Sequence, residues 1–386
     1  MREFPQRRQE VFHEGIVRPR GPAGSGRWVQ GAHGRSLARL PWKGRDTAET
    51  PVSRSLCFPK ATMSPLIDRH GRTKRKLRIS LTDRCNFRCT YCMPEHPDWL
   101  PRASLLARDE IVRLAGLFVD HGIDQIRLTG GEPLLRPDLL DCVRAIDALR
   151  ERGLTRLSMT TNASRIAPRA RALVEAGIDD FNVSLDAVDP ETFRRLTRRD
   201  IDTVLDGIAA LADAGARIKL NAVVIRGDND KDIVPLLEWA MARGLPLRYI
   251  EYMPLDAPGH WKRDTVVPEA EILAAIRQSH TVEAQPRSHD PATPYLVDGH
   301  YPLGIISTVS NPFCSTCDRL RITATGELFT CLFSPIGVPL GARLREGAGD
   351  DALAAQIARA VWLKDAGYAS RPGPVDRPLT MHAMGG

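Results

Sequence analysis

The sequence predicts an α/β protein: a partial, open (β/α)6 barrel of the TIM type, with a C-terminal extension that carries a second group of cysteines. Three observations predict it. Short apolar strands alternate with amphipathic helical stretches from about residue 77 onward. Gly122, Gly153, Gly177, Gly215 and Gly244 each close a helix before the next strand. The strands also alternate apolar and polar residues, where parallel strands covered on both faces read as continuous apolar runs.

The elements follow in order. Strands are expected at 77–82, 125–129, 156–161, 180–185, 218–225 and 247–252, with helices at 108–121, 137–150, 165–176, 190–213 and 231–243. Six strands separated by helices imply parallel β/α units, because parallel neighbours need a crossover. Arg127 and Thr129 alternate with Ile126 and Leu128, Asn182 and Ser184 with Phe181 and Val183, and Lys219 and Asn221 with Ile218 and Leu220. One face is therefore apolar, under helices, and the other faces a wet or ligand-filled lumen. Beyond a helix at 268–279 the pattern changes to a Pro- and His-containing loop, a strand at 304–309 and the second cysteine group, read as a separate C-terminal layer. The domain expectation is an extension over 1–62, a barrel core over 63–265 and a C-terminal cluster- and substrate-binding region over 266–386.

Charge separates the first segment from the rest. Residues 1–62 carry 12 Lys and Arg against 5 Asp and Glu, whereas 63–386 hold 42 of each sign. The net charge of +7 thus lies wholly in the extension, and the barrel has no global basic bias of the nucleic-acid-binding kind. The extension reads as disordered, with scattered Gly, Pro and Arg. Its acidic residues spoil an organelle transit signature, and it has no secretory apolar region. Met63 opens the patterned sequence and is read as the true start of translation; an intact native mass that includes residues 1–62 contradicts that reading. No apolar run approaches the roughly 18–20 residues that span a bilayer, and a cytoplasmic location is expected.

Eight cysteines without a secretion signal point to metal or redox chemistry. Six form two trios: Cys85, Cys89 and Cys92, directly after the first strand, and Cys314, Cys317 and Cys331. Three thiolates on one loop can hold three irons of a [4Fe–4S] cluster and leave the fourth open to a cofactor. A zinc site completed by His96, or by His300 for the second trio, is the competing reading. Cys142 reads as a small core residue on the second helix, and Cys57 lies in the extension.

The first trio, with Tyr91 between its last two cysteines, resembles the defining motif of the radical S-adenosylmethionine (SAM) superfamily. Gly130-Gly131-Glu132-Pro133 after the second strand and Asn182-Val183-Ser184-Leu185-Asp186 in the fourth add to the likeness. Within that superfamily, residues 63–386 resemble the GTP 3′,8-cyclase family of molybdenum-cofactor biosynthesis. The segments that carry this are 77–85, 127–133, 160–162, 313–317 with Asp318-Arg319-Leu320-Arg321, and the terminal Gly385-Gly386.

The resemblance implies two [4Fe–4S] clusters, on Cys85, Cys89 and Cys92 and on Cys314, Cys317 and Cys331, with SAM at Tyr91, Gly131, Ser184 and Met253. It implies GTP as substrate, bound by Arg78, Arg127, Thr160, Lys219, Arg319, Leu320 and Arg321, with the C-terminal tail reaching toward the site. It assigns no separate catalytic side chain. The implied partners are an electron donor, the downstream cyclic pyranopterin monophosphate synthase and a second copy in a homodimer, with no nucleic acid and no membrane. Two rivals stand beside it: a peptide-modifying radical SAM enzyme with an auxiliary C-terminal cluster, and a zinc-stabilised binding module.

Overall fold

The computed structural model describes residues 64–256, 259–287, 289–368 and 380–385. The expectations for the 1–62 extension, for Cys57 and for Gly386 fall outside the described residues.

Six parallel strands run in chain order across the centre of one sheet: β1 (Lys76–Ser80), β2 (Gln125–Thr129), β3 (Arg156–Thr161), β4 (Asp180–Ser184), β5 (Arg217–Val224) and β6 (Leu247–Glu251). The helices between them are α1 (Arg108–Asp120), α2 (Leu139–Asp147), α3 (Ala170–Glu175), α4 (Pro190–Thr197), α5 (Asp202–Asp213) and α6 (Ile233–Met241). The five helix-stopping glycines all adopt positive φ, between 61° and 116°. That left-handed conformation is nearly free for glycine and costly for a residue with a Cβ.

The alternation predicted from sequence is present. In β5, Ile218, Leu220, Ala222 and Val224 are buried, while Lys219, Asn221 and Val223 keep partial exposure. Leu77, Leu128, Leu157, Phe181 and Leu220 pack at 0% exposure on the helix side. Each such side chain contributes about 1.5–3 kcal/mol by leaving water. The inward face is left to Arg78, Arg127, Ser158 and their neighbours.

The C-terminal part does not form the separate layer that the change of pattern suggested. After α7 (Glu269–Ile276) come β7 (Val282–Ala284), β8 (Thr293–Val297) and β9 (Tyr301–Ile306), then β10 (Arg319–Ile322), β11 (Glu327–Phe329) and β12 (Val338–Pro339). β9 pairs parallel with β6, and β10 pairs parallel with β1, so the segment extends the same sheet at both edges. The order is β12-β11-β10-β1-β2-β3-β4-β5-β6-β9-β8-β7, with β12 and β7 as unpaired ends, which makes the barrel open. The chain closes with α8 (Leu340–Arg345) and α9 (Asp350–Trp362).

One helix departs from expectation. The stretch at 190–213 is two helices, broken where Arg198 takes φ 59° after α4. No Gly or Pro marks the break in the sequence. It frees carbonyl oxygens that hold the first cysteine loop: Leu196 O accepts from Thr90 N (3.0 Å) and Thr197 O from Arg88 N (3.0 Å).

Candidate active site

The loop that follows β1 carries Cys85, Cys89 and Cys92, and the loop that follows β2 grips it by its backbone. Gly131 N donates to Thr82 O and Glu132 N to Arg84 O, both at 2.7 Å. A Cβ on Gly131 would sit 2.4 Å from Arg84 O and 2.6 Å from Asp83 O, so only glycine permits this approach. Glu132 anchors the other side. It is 1% exposed and accepts from Thr161 Oγ1 (2.7 Å), Asn162 N (2.7 Å) and Leu134 N (3.1 Å). Burial raises its carboxyl to about 7 despite those bonds. Across the lumen, Tyr91 Oη donates to Asp186 Oδ2 at 2.6 Å, and Asp186 Oδ1 accepts from Val223 N at 2.9 Å.

A single cavity of about 600 Å³ occupies the lumen, and both cysteine trios line it. Its size is that of a small-molecule or cofactor site. Tyr91, Gly131, Ser184 and Met253 are on its wall, as are Arg78, Arg127, Thr160, Arg319, Leu320 and Arg321. Lys219 is the exception. It stands opposite Asn182, on the rung of Thr160, but is not among the lining residues, and burial together with the nearby Arg248 and Arg156 lowers its pKa.

Strand register explains the concentration of positive charge. Arg78 stands opposite Arg127 on one side and Arg321 on the other, so three arginines share one rung. Arg78 is lowered well below the ordinary arginine value by burial and by Arg321, Arg127, Arg319 and Arg248. Burial also brings Arg127 down to about 10. A wall of like charges that disfavour one another calls for an anionic occupant, and arginine forks suit phosphate oxygens. Arg319 additionally stacks over the Phe313 ring at 4.6 Å, and Arg321 Nη1 donates to Met384 O of the tail at 2.8 Å.

The two trios sit in opposite electrostatic settings. Burial, and then Glu132, raises the Cys85 thiol to about 11; burial and Asp186 raise Cys89 well above its ordinary value. Burial also pushes Cys317 up, but Arg319 and Lys364 outweigh it and bring that thiol to about 7. Among the described residues no three His, Cys, Asp or Glu side chains converge closely enough to hold one metal ion. Each trio places three thiols on the lumen wall, a donor set that suits three irons of a [4Fe–4S] cluster. His96 is exposed and His300 lies exposed at the β8–β9 turn; neither lines the cavity. Cys142 is fully buried on α2, as expected of a core residue.

Several lining residues carry no assignment from the sequence: Glu132, Asn162, Asp186, Arg156, Asn221 and Arg248. The inward alternation that exposed Arg127 was a signal for Arg156, Asn221 and Arg248 as well. Asn221 stands opposite Ser184, and its buried Oδ1 has no hydrogen-bond partner among the described residues. It is a free acceptor on the cavity wall, of the kind a bound ligand satisfies. Asp186 gave no periodic signal, because it lies just past the end of β4.

The chain matches the Radical SAM superfamily model over residues 79–240 and the Molybdenum Cofactor Synthesis C model over 245–370. It is 46% identical over 333 residues to the GTP 3′,8-cyclase of Streptomyces coelicolor, which covers 83% of this chain and 96% of that protein. The GTP 3′,8-cyclase of Corynebacterium glutamicum is 45% identical over 336 residues, covering 83% and 89%. The chain belongs to the GTP 3′,8-cyclase family. As a radical SAM protein it uses SAM and [4Fe–4S] clusters as cofactors. The solved structure of Streptococcus suis SuiB shares the fold, with a TM-score of 0.50 at 15% identity over 68% of this chain and 62% of that one. In this GTP 3′,8-cyclase family member the two matched regions meet between α6 and β6. The C-terminal region therefore supplies β6, both sheet extensions and the second trio.

Proposed function

We propose that this protein cyclises GTP to (8S)-3′,8-cyclo-7,8-dihydroguanosine 5′-triphosphate, the first step of molybdenum-cofactor biosynthesis. The observation that carries the reading is one lumen lined by both cysteine trios, with an arginine rung between them. The 46% identity to a relative named for this activity supports it.

In this reading Cys85, Cys89 and Cys92 hold one [4Fe–4S] cluster, and Cys314, Cys317 and Cys331 hold the other. The first cluster with SAM supplies a carbon-centred radical able to take a hydrogen atom from the ribose. Everything else falls to the chain. Tyr91, Gly131, Ser184 and Met253 line the side of the cavity next to the first trio and orient SAM, and Asn221 Oδ1 offers a further acceptor there. Arg78, Arg127, Arg319 and Arg321 bind the nucleotide through its triphosphate, whose oxygens suit the arginine forks; Thr160 and Leu320 complete that surface. Lys219 acts at longer range, adding positive charge to that surface. Holding ribose C3′ beside the radical source and guanine C8 within reach of C3′ is catalysis by positioning. An external protein donor supplies the electron, and the cyclic pyranopterin monophosphate synthase consumes the product, in the cytoplasm.

GTP-dependent SAM cleavage is the test. Under anaerobic reduction, SAM consumption should rise with GTP and not with ATP or with short cysteine-containing peptides. Cleavage stimulated by a peptide and indifferent to GTP would favour a peptide-modifying enzyme instead.

A further inference from the structure

The backbone around the second trio is held by buried cations that the proposed reaction leaves unused. Lys74, at 0% exposure, donates to Cys317 O at 2.6 Å and pairs with Asp68 Oδ2 at 2.8 Å. Arg72 pairs with the same carboxylate (2.7 Å) and donates to Cys314 O at 2.6 Å. Lys364, at 4% exposure just beyond α9, donates to Thr330 O, the carbonyl next to Cys331. Arg319 Nη2 reaches Cys317 Sγ at 3.7 Å. One carboxylate, Asp68, is thus shared by two of these cations. Lys364 also acts on the Cys317 thiol, so its buried ammonium sits in the field of the trio.

Resting on the reading that the second trio holds a cluster, we propose that Lys364 and Lys74 are positioning residues for it. They fix its two ligand loops by their carbonyls and favour its reduced form. One-electron reduction adds one negative charge to the cluster and its thiolates, with no proton taken up. Nearby cations stabilise that charge, which raises the reduction potential. The first trio has one such contact, Arg88 Nη1 to Cys85 O at 2.9 Å, and its buried charged neighbours are the carboxyl groups of Glu132 and Asp186. The fold therefore sets the two clusters apart in potential, with the second the more easily reduced.

The test is a dithionite titration followed by electron paramagnetic resonance on the full chain carrying both clusters, wild type against Lys364→Met. A protein with all three of Cys85, Cys89 and Cys92 changed to Ala assigns the second cluster's signal. The expected result is a more negative midpoint for the second cluster alone, with iron and sulfide contents unchanged, and its return in Lys364→Arg. An unchanged second midpoint, or an equal shift of both, overturns the proposal. Lys74→Met gives a second handle: a more negative midpoint of the second cluster alone supports the positioning role, and an unaltered second midpoint counts against it. A wild-type protein with iron and sulfide for a single cluster removes the reading of the second trio, and the proposal with it.

Discussion

Tyr91 and Asp186 meet across the mouth of the barrel, the phenol hydroxyl donating to Asp186 Oδ2 at 2.6 Å. The bond joins the cysteine loop to the end of β4, two residues past Ser184, and the burial of Asp186 raises its carboxyl to about 6. Tyr91→Phe leaves Asp186 with Val223 N and removes one partner from a buried carboxyl, at a cost of about 1–3 kcal/mol. The first cluster should then lose iron to a chelator faster than in wild type, while the second keeps its rate. Equal rates for the first cluster in both proteins would mean the bond does not hold the loop.

Gly131 brings the β2 loop against the backbone of the cysteine loop. Its Cβ would meet two backbone oxygens, which cannot swing aside as a side-chain end can. Gly131→Ala should therefore leave a folded chain with about half the wild-type iron, the remainder belonging to the second trio. Full iron content in this variant would show that the loop has room to move.

Most of the barrel was legible because two periodicities and a set of glycine stops agreed. The apolar-polar alternation alone put Arg127 and Asn221 on the lumen side, and the cysteine spacing marked both trios. Other features were hidden for physical reasons. The break after α4 depends on Arg198 adopting a left-handed conformation, which no local residue type announces. The placement of β9 and β10 at opposite edges of one sheet rests on long-range pairing with β6 and β1. Lys74 and Asp68 carry no pattern at all; they become a buried pair only when α9 and the second trio pack against them.

Asp68 makes the fold sensitive to acid in a definite direction. Burial raises its pKa, but Lys74 and Arg72 outweigh that and hold it at about 2, against 3.8 ordinarily. A depressed carboxyl contributes stability that is present above the unfolded value and is lost as pH falls through the folded one. This contribution should hold from neutral pH down to about 4 and fade toward about 2, amounting to about 2 kcal/mol. Denaturant unfolding of Asp68→Asn should show that deficit at pH 7 and a smaller one near pH 3. A deficit independent of pH would point to packing rather than charge.

The arginine rung should make nucleotide binding depend on salt. Arg127→Gln removes one charge-assisted partner, worth about 1.5–3 kcal/mol, or roughly 10–150-fold in affinity for GTP. Equilibrium binding at two ionic strengths should show the loss with a shallower salt dependence than in wild type, and with both clusters intact. Arg321→Ala should impair cyclisation and free the tail carbonyl of Met384, again leaving the first cluster in place.

The most direct measurement is a single anaerobic turnover of the cluster-loaded protein with SAM, reductant and GTP deuterated at C3′, followed by the mass of the 5′-deoxyadenosine formed. One deuterium in that product is expected under the proposed function, in which the arginine rung holds GTP with C3′ against the radical source. Deoxyadenosine formed without deuterium would contradict GTP C3′ as the site of hydrogen removal.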